Sequence, residues 1–283
     1  MTSQPKVSLV VVTRNRPKPL RCLIESLTCQ TFRNMEVILV DQSDSEQRDM
    51  VRELVSSCIQ DLNLQLIEDS GTGLSRGRNL GLRTVTGEIV GFPDDDCWYA
   101  KGLLQQIVTW FQANRESDFL AAPFTEPDRS NSMFPAVERD ISYWRGGVVG
   151  VCSVGLFFRH RIVRDGNISF AENLGAGREL VCSEETDFVF RCVRRGYRGR
   201  FVPVITVFHP IKADLWERGR ILQVDKARSY VFYKNRTVPE AVVRLVVGFL
   251  ILTVRALGSK EARERLAARI DGVMASARDS RAA

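Results

Sequence analysis

Short apolar runs alternate with helical patterns along the first half of this chain, and this alternation restricts the fold more than any other feature. The runs are continuous and rich in β-branched residues, as expected of strands buried on both faces of a sheet. They cover residues 7–12, 36–40, 64–67 and 88–92. Apolar residues at helical spacing predict helices over residues 17–29, 47–58, 74–84 and 99–114. Repeated strand–helix–strand units predict an α/β fold with a mostly parallel central sheet flanked by helices.

Polar clusters follow three of these predicted strands. They are Thr-Arg-Asn-Arg at residues 13–16, Asp-Gln-Ser-Asp at residues 41–44 and Asp-Asp-Asp at residues 94–96. Ligands of such sheets bind beyond the carboxyl ends of the strands. We therefore expect all three clusters to converge on one crevice.

The aspartate triplet, Asp94 to Asp96, closes an apolar run. Several carboxylates at one sheet edge suit a hard divalent cation, and without one they repel each other. The alternative is a polar turn in which Asp96 or a neighbour caps the following helix. Convergence with the other polar clusters favours the cation site, which would in turn hold an anion such as a nucleotide diphosphate.

The pattern becomes irregular beyond the helix predicted to end at residue 114. Short strands are predicted over residues 119–123, 153–159 and 200–208. A helix is predicted over residues 183–195. The last strand ends at His209. Aromatic side chains at Trp98, Tyr143 and Trp144 and the loop 170–177 could recognise an acceptor molecule, although these aromatics fit a core equally well.

The composition is that of a globular protein, with 44% hydrophobic residues. Seven cysteines lie scattered without a C-x-x-C pair, which favours buried thiols in a reducing cytosol over zinc ligands or disulfides. The polar start, residues 1–6, carries no signal-peptide pattern, so we expect a cytoplasmic protein. The net charge of +6 suits anionic partners, but no nucleic-acid-binding signature accompanies it, and nucleic acid is not expected.

The segment 240–257 is mainly apolar and is interrupted by Arg244 and Gly248. A membrane span needs about 20 predominantly apolar residues, so this run is too short. It predicts either a packed helix, which could cover the catalytic domain or a homodimer interface, or a helix in a membrane interface. The tail beyond this segment is basic, which is consistent with peripheral contact with an anionic lipid surface.

Six motifs stand in a specific order along residues 7–209. They are Val-Val-Thr-Arg-Asn-Arg, Val-Asp-Gln-Ser, Gly-Leu-Ser-Arg-Gly-Arg-Asn-Leu-Gly at 73–81, the aspartate triplet, Ser-Glu-Glu-Thr-Asp-Phe from Ser183, and His209. Together they resemble glycosyltransferase family 2, an inverting family with the GT-A fold. The resemblance implies a catalytic domain over residues 1–212, with a nucleotide-sugar half to about residue 115 and an acceptor half from 116 to 212. A C-terminal helical extension would then cover residues 213–283.

In that family, residues after the first two strands hold the nucleoside of a sugar nucleotide. The resemblance therefore places Thr13, Arg14 and Arg16 around the base and ribose, and Asp41 as acceptor of a hydrogen bond from the base. A carboxylate suits the imide N–H of uracil or thymine, which favours a UDP- or dTDP-sugar. Alternatively, Asp41 and Ser43 simply make a turn.

Arg76 and Arg78 open a predicted helix near the expected diphosphate. Guanidinium groups suit phosphate oxygens, and the neighbouring glycines permit close backbone approach. Arg78, followed by Asn79, is the better match to the family. In the alternative interpretation, both arginines lie on a solvated helix face.

For the triplet, the resemblance implies metal and ribose binding. Asp96 would ligate the metal, Asp95 would face the ribose, and Asp94 would support them. The ion would be Mg²⁺ or Mn²⁺ bridging the two phosphates. Some family members add a late histidine to the ligands, and His209 would then favour Mn²⁺. A packed or capping role for His209 is the alternative.

The family usually places a catalytic aspartate in a Glu-Asp pair at the start of a helix. This chain has Glu184-Glu185, so Glu185 takes the aspartate position and Glu184 is the other candidate base. Ser183 followed by acids is also a good helix start, because carboxylates favour the positive end of the helix dipole. The two interpretations are compatible.

The function implied is metal-dependent, inverting transfer of a sugar from a nucleotide diphosphate sugar to a glycan or lipid-linked saccharide, in cell-surface polysaccharide or glycoconjugate synthesis. A sugar-phosphate nucleotidyltransferase is an alternative, since its sheet is similar. A non-catalytic sugar-nucleotide-binding scaffold is another.

Overall fold

The computed structural model of the chain describes residues 5–58, 60–126, 134–148, 150–211 and 217–282. The strands in this part of the chain are β1 (Val7–Thr13), β2 (Met35–Asp41), β3 (Leu64–Glu68), β4 (Ile89–Gly91), β5 (Phe119–Ala121), β6 (Phe124–Thr125), β7 (Arg139–Ile141), β8 (Leu156–Arg159), β9 (Gly199–Phe201) and β10 (Val207–Phe208). The helices are α1 (Pro17–Thr28), α2 (Ser45–Cys58), α3 (Leu74–Leu82), α4 (Leu103–Ala113), α5 (Arg161–Arg164), α6 (Glu184–Arg194), α7 (Arg218–Lys234), α8 (Pro239–Ala256) and α9 (Lys260–Ala282).

The central sheet has the strand order β3-β2-β1-β4-β8-β5-β9-β7 over the described residues. Its first four strands are parallel to one another. The strands β1 and β2 are buried almost throughout, which explains their continuous apolar sequences. This half of the fold confirms the predicted α/β architecture.

The other half of the sheet is mixed, because β8 runs antiparallel between β4 and β5. Apolar side chains fill both faces of the sheet and form two core clusters. The strands β6 and β10 form a separate parallel pair, which carries the chain from Phe208 to the crevice.

Three predicted elements differ from the structure. The strand predicted over 200–208 is two short strands, β9 and β10, separated by a turn at Pro203, whose missing N–H ends the ladder. The strand predicted over 153–159 begins only at Leu156, after a 3₁₀ turn. The helix predicted from residue 99 begins at Leu103, because Trp98 pairs through its backbone with Phe208 and stays extended.

The last three helices, α7, α8 and α9, pack on one another, and α7 also contacts α6. They form the predicted helical extension. The predicted boundary between residues 212 and 213 lies outside the described residues, as do the first four residues of the polar start. Among the helices that the structure describes, none has the length and apolar character needed to cross a membrane.

Candidate active site

The polar ends of β1 and β4 meet, as predicted. Thr13 donates a hydrogen bond from Oγ1 to Asp95 Oδ2 at 2.8 Å, and a bridge joins the backbones of Val12 and Asp94. Arg16 donates to a carboxylate oxygen of Asp95 and, at 2.7 Å, to Asp96 Oδ2. One arginine therefore neutralises part of the charge that the triplet gathers.

The triplet does not cap the following helix. The N-cap of α4 is Gly102, and no side chain caps it. The carbonyl of Asp94 instead accepts the N–H of Cys97 at 3.1 Å, which turns the chain away from the crevice. The capping interpretation is wrong, and another reason for three adjacent carboxylates is needed.

Asp94, Asp96 and His209 form a compact cluster, with one ligand atom from each lying within 4.8 Å of the others. His209 Nε2 is 3.1 Å from Asp96 Oδ1 and 3.8 Å from Asp94 Oδ2. Both ring nitrogens are buried and form no hydrogen bond within the described part of the chain. Imidazole nitrogens without a hydrogen bond, next to two carboxylates, suit a cation bound between them. Two carboxylates and an imidazole thus fit Mn²⁺ or Mg²⁺, with the imidazole favouring Mn²⁺.

The strand pair β6–β10 positions the histidine. The His209 N–H donates to the Thr125 carbonyl at 3.0 Å, and its ring packs edge-on against Phe124 at 5.2 Å between centroids. These contacts fix the imidazole without using its nitrogens. His209 is therefore packed, as the alternative proposed, and still presents its nitrogens to the two aspartates.

Burial raises the pKa of Asp95 to about 6, although Arg16 and Thr13 act in the opposite direction. Repulsion from Asp94 and Asp96 adds to the upward shift. The upward shift therefore reflects mainly the burial of the Asp95 carboxyl group, and repulsion within the triplet makes a smaller contribution.

The end of β2 forms a second polar pocket beside the first. Asp41 is fully buried, and its Oδ1 accepts the Ser43 N–H at 2.9 Å, so the turn considered for these residues is present. The second oxygen, Oδ2, lies 3.8 Å from Arg48 Nε and forms no hydrogen bond within the described residues. Asn15, at a φ of 56°, donates its N–H to Ser43 Oγ and ties this turn to the end of β1. Arg14 is exposed at the rim.

Arg76 is not part of the acid cluster. It forms two hydrogen bonds of 3.0 Å with Asp69, beyond the end of β3, and Asp69 also accepts from Gln42. The predicted contact of Arg76 with a diphosphate is therefore not supported by the position of its side chain. Asp69 lies outside the motifs recognised in the sequence, so the sequence did not predict the ion pair between Arg76 and Asp69.

Arg78 crosses the crevice and joins the two sets of acids. It donates from one nitrogen to Asp94 Oδ1 and from another to Glu184 Oε1, both at 3.0 Å. The side chain is only 1% exposed, and its guanidinium lies over the rings of Phe92 and Phe170. The solvated-face interpretation is therefore wrong for Arg78, which links the triplet to α6.

Replacing Arg78 with Met should lower the free energy of unfolding by about 3–5 kcal/mol, because two carboxylates lose a buried partner. Urea denaturation measures this change. The matched control is Arg76→Met, whose side chain is 43% exposed. Because water screens the exposed Arg76 guanidinium, the loss of its ion pair with Asp69 is expected to destabilise the fold much less than the loss of Arg78. Equal losses in the two variants would contradict the bridging role of Arg78.

The first turn of α6 presents both candidate bases. Ser183 precedes it at a φ of 72° and forms no side-chain cap hydrogen bond, so capping does not explain this residue. Its left-handed backbone is strained for a non-glycine residue, and such strain is concentrated at functional sites. Glu184 is buried and bound to Arg78, whereas Glu185 is partly buried and free of that ion pair.

Burial, together with repulsion from Glu184, raises the pKa of Glu185 to about 8. Arg78 opposes this shift, and Asp94 adds to it. A carboxylate whose pKa lies near neutral pH accepts a proton more readily than an ordinary glutamate. The structure thus separates the two glutamates, one held in an ion pair and the other suited to proton transfer.

If Glu185 is the base, the transfer rate should rise with pH, since only its ionised form can accept a proton. The midpoint should lie well above 4.5, the ordinary pKa of a glutamate, and towards 8. The test is the initial rate at saturating donor between pH 5 and pH 9 (about the range over which such a group titrates). Donor affinity measured over the same range separates this effect from titration of Asp95. A rate that is flat above pH 5 would contradict the assignment.

Asp187, one turn further along α6, is a buried residue that the sequence did not single out. It pairs with Arg191 at 2.9 Å and Lys234 at 3.0 Å, and accepts a hydrogen bond from Asn235 at 2.9 Å. These partners keep its pKa below the usual range despite its burial. The end of α7 is thereby tied to the helix that carries the candidate base.

A cavity of about 700 Å³ opens beside Asp96, lined in part by Arg16, Trp98 and Pro210. The Trp98 ring stacks on Phe208 at 5.8 Å between centroids, which fixes it as part of the wall. Of the other aromatics considered for an acceptor, Trp144 is exposed and Tyr143 packs against it. The cavity is large enough for a saccharide ring.

A mostly parallel sheet flanked by helices, with carboxylates and arginines gathered beyond its strand ends, is typical of an α/β protein whose ligand crevice lies at that edge of the sheet. The family model described as "Glycosyl transferase family 2" matches residues 8–170. The chain belongs to this family.

Two curated relatives show the extent of the similarity. Glycosyltransferase GlyA of Streptococcus pneumoniae is 27% identical over 138 residues, which are 47% of this chain and 19% of GlyA. The poly(ribitol-phosphate) beta-N-acetylglucosaminyltransferase TarS of Staphylococcus aureus is 25% identical over 180 residues, 62% of this chain and 31% of TarS. The chain therefore spans less than a third of the length of these relatives.

Two solved structures share the fold. Residues 1–349 of S. aureus TarS, in complex with UDP-GlcNAc, superpose with a TM-score of 0.66 at 19% identity and cover 97% of this chain and 92% of that one. The mannosyltransferase PcManGT of Pyrobaculum calidifontis, in complex with GDP-Man and Mn²⁺, gives 0.66 at 19% identity and covers 98% and 88%. These likenesses confirm the predicted GT-A fold with C-terminal helices.

Proposed function

We propose that this chain transfers a sugar from a nucleotide diphosphate sugar to a saccharide hydroxyl, with inversion at the anomeric carbon. The observation that carries the proposal is the bridge that Arg78 makes between Asp94 and Glu184. This bridge holds the acid cluster close to the two glutamates of α6. The acid cluster would bind the diphosphate end of a donor through a metal ion, and one of the glutamates would remove a proton. Both parts are needed for a glycosyl transfer, and each would be of little use alone.

Glu185 acts as the base in this proposal. It takes the proton of the acceptor hydroxyl as the hydroxyl oxygen bonds to the anomeric carbon. The bond from that carbon to the diphosphate oxygen breaks on the opposite side, and its electron pair leaves with the diphosphate. Attack and departure on opposite faces invert the anomeric centre, without a glycosyl-enzyme intermediate.

Asp94, Asp96 and His209 would hold Mg²⁺ or Mn²⁺, which would stabilise the negative charge that develops on the departing diphosphate. Arg16 remains close enough to the triplet to exchange an aspartate oxygen for a phosphate oxygen. Asp95 faces the ribose in this arrangement, next to Thr13.

The donor we favour is a UDP- or dTDP-sugar. The buried Oδ2 of Asp41 forms no hydrogen bond within the described residues, and the imide N–H of uracil or thymine would satisfy it. The TarS structure holds UDP-GlcNAc, whereas PcManGT holds GDP-Man, so the fold accommodates more than one base. Arg14, at the rim, would contact the base or ribose from solvent.

The acceptor we propose is a glycan or lipid-linked saccharide, in the synthesis of a cell-surface polysaccharide or glycoconjugate. Support comes from the saccharide-sized cavity beside Asp96 and from the polymer named for the relative TarS. The described cysteines are free thiols, which suits a reducing cytoplasm.

A thermal-shift panel of UDP-, dTDP- and GDP-sugars, with and without Mn²⁺, tests the donor. The expected result is a rise of roughly 5 °C or more with a saturating UDP- or dTDP-sugar and Mn²⁺, because a ligand that binds the native state stabilises it. A larger rise with GDP-sugars would contradict the role of Asp41. No response to any donor would overturn the proposed function.

The same panel, followed by a transfer assay, separates the alternatives. A nucleotidyltransferase would release pyrophosphate from a nucleoside triphosphate and a sugar phosphate, and a scaffold would bind a sugar nucleotide without turnover. The acids in the first turn of α6 favour a catalytic function over that of a non-catalytic binding scaffold.

A further inference from the structure

The helix α8 exposes a row of large apolar side chains. The members of this apolar face are Val242, Val243, Val246, Val247, Leu250, Ile251, Val254 and, just beyond the helix, Leu257. Leu250 is 61% exposed, Val254 70% and Leu257 87%. Their spacing of three and four residues places them along one side of the helix.

This face is not the one by which α8 packs onto the protein. Ala241 and Leu252 are buried on the other side, and Gly248 lies against the guanidinium of Arg269 on α9. The helix is thus apolar on both sides. One side is buried against the rest of the protein, and the other side is exposed to solvent. Monomeric soluble proteins rarely expose contiguous apolar patches of more than a few hundred Å².

The charges beside the apolar face are basic. Arg244 and Arg255 are exposed, one near each end of α8. The only acid of the helix, Glu240, is turned inward, where its Oε2 accepts the N–H of Val148 at 2.8 Å and its Oε1 lies 3.8 Å from Arg244. The face is therefore apolar with a positive border and carries no exposed carboxylate.

We infer that the apolar face of α8 docks on an anionic lipid surface. A helix that lies in a bilayer interface needs an apolar side toward the acyl chains and basic residues toward the headgroups. A second copy of the chain is a poorer occupant, because the arginines of two such faces would find no carboxylate on the partner helix. The other side of α8 packs on α7 and α9 along its length. The helix would therefore lie parallel to the lipid surface rather than enter the bilayer.

Flotation of the full chain with lipid vesicles tests this inference. Binding is expected to phosphatidylcholine vesicles that contain phosphatidylglycerol, to be weaker on pure phosphatidylcholine, and to fall at high salt. The variant Val246→Ser/Leu250→Ser/Val254→Ser should bind at least about tenfold more weakly. The variant Arg244→Gln/Arg255→Gln should lose roughly tenfold on anionic vesicles only.

The matched control is Val204→Ser, because Val204 is 85% exposed but lies in the turn between β9 and β10. It should bind vesicles like the parent chain. Circular dichroism of each variant checks that the fold is kept, which is expected because the changed side chains face solvent. The inference is overturned if the parent chain does not float, or if the Val204 and triple variants behave alike. It is also overturned if sedimentation gives a stable dimer that the triple variant dissociates.

Discussion

Replacing Glu185 with Gln should lower the turnover number by about 1,000-fold, while the affinity for the sugar nucleotide stays within about twofold. Glutamine keeps the shape of the side chain but cannot accept the acceptor's proton. Glu185 makes no ion pair with Arg78, so the change leaves the bridge from Asp94 to Glu184 in place. Steady-state kinetics with donor and acceptor, together with calorimetry of donor binding, measure the two quantities.

The neighbouring glutamate supplies the comparison. Glu184→Gln removes the charged partner of buried Arg78, so its main expected effect is a loss of stability. Activity measured per folded molecule should therefore fall less in Glu184→Gln than in Glu185→Gln. The reverse order would assign the base to Glu184. Near-normal turnover in Glu185→Gln would show that Glu185 is not the base.

Asp96→Asn should weaken donor binding in the presence of Mn²⁺ by at least about 100-fold. Loss of a residue that only supports a metal ligand already costs about 10–100-fold, and a direct ligand contributes more. Asparagine preserves the volume of the side chain beside Arg16 and His209 but removes its charge. Titration of the donor with Mn²⁺, and again with a chelator, measures the effect.

In the parent chain, the chelator should weaken donor binding strongly; in Asp96→Asn it should change little. Asp69→Asn is the matched control, because Asp69 is another buried aspartate beyond a strand end, held by Arg76. That variant should keep the response to the chelator. If the parent chain binds donor equally well with and without chelator, the metal role of Asp94, Asp96 and His209 is wrong.

The sequence was sufficient for the fold and for the convergence of the strand ends. Continuous β-branched runs such as residues 7–12 can be buried on both sides only in a sheet covered by helices, and the order of strands and helices then sets the parallel topology. The contact of Thr13 with Asp95 follows from that topology alone. The proximity of His209 to Asp96 matches the expectation that the family resemblance supplied.

The partners of the arginines could not be predicted. Arg76 and Arg78 are two residues apart on one helix, so they point in different directions, one to Asp69 and the other into the crevice. Arg76 contacts an aspartate only seven residues away, whereas Arg78 contacts Glu184 at a separation of 106 residues. No local pattern specifies which of these acids each arginine contacts. The sequence also could not predict which side of α8 is exposed, because hydrophobicity alone does not show which side of an apolar helix is packed.

Asp187 sets a limit on how this protein can be cut or recombined. A fragment ending near residue 212 would lack Lys234 and Asn235, and would leave a buried carboxylate without two of its partners on the helix that carries Glu184 and Glu185. A chimera that exchanges C-terminal helices with a relative must therefore retain residues 234 and 235, or supply a cation and an amide in their place. Since buried Asp225 of α7 pairs in turn with Arg265 and Arg269 of α9, the same argument extends to the last helix.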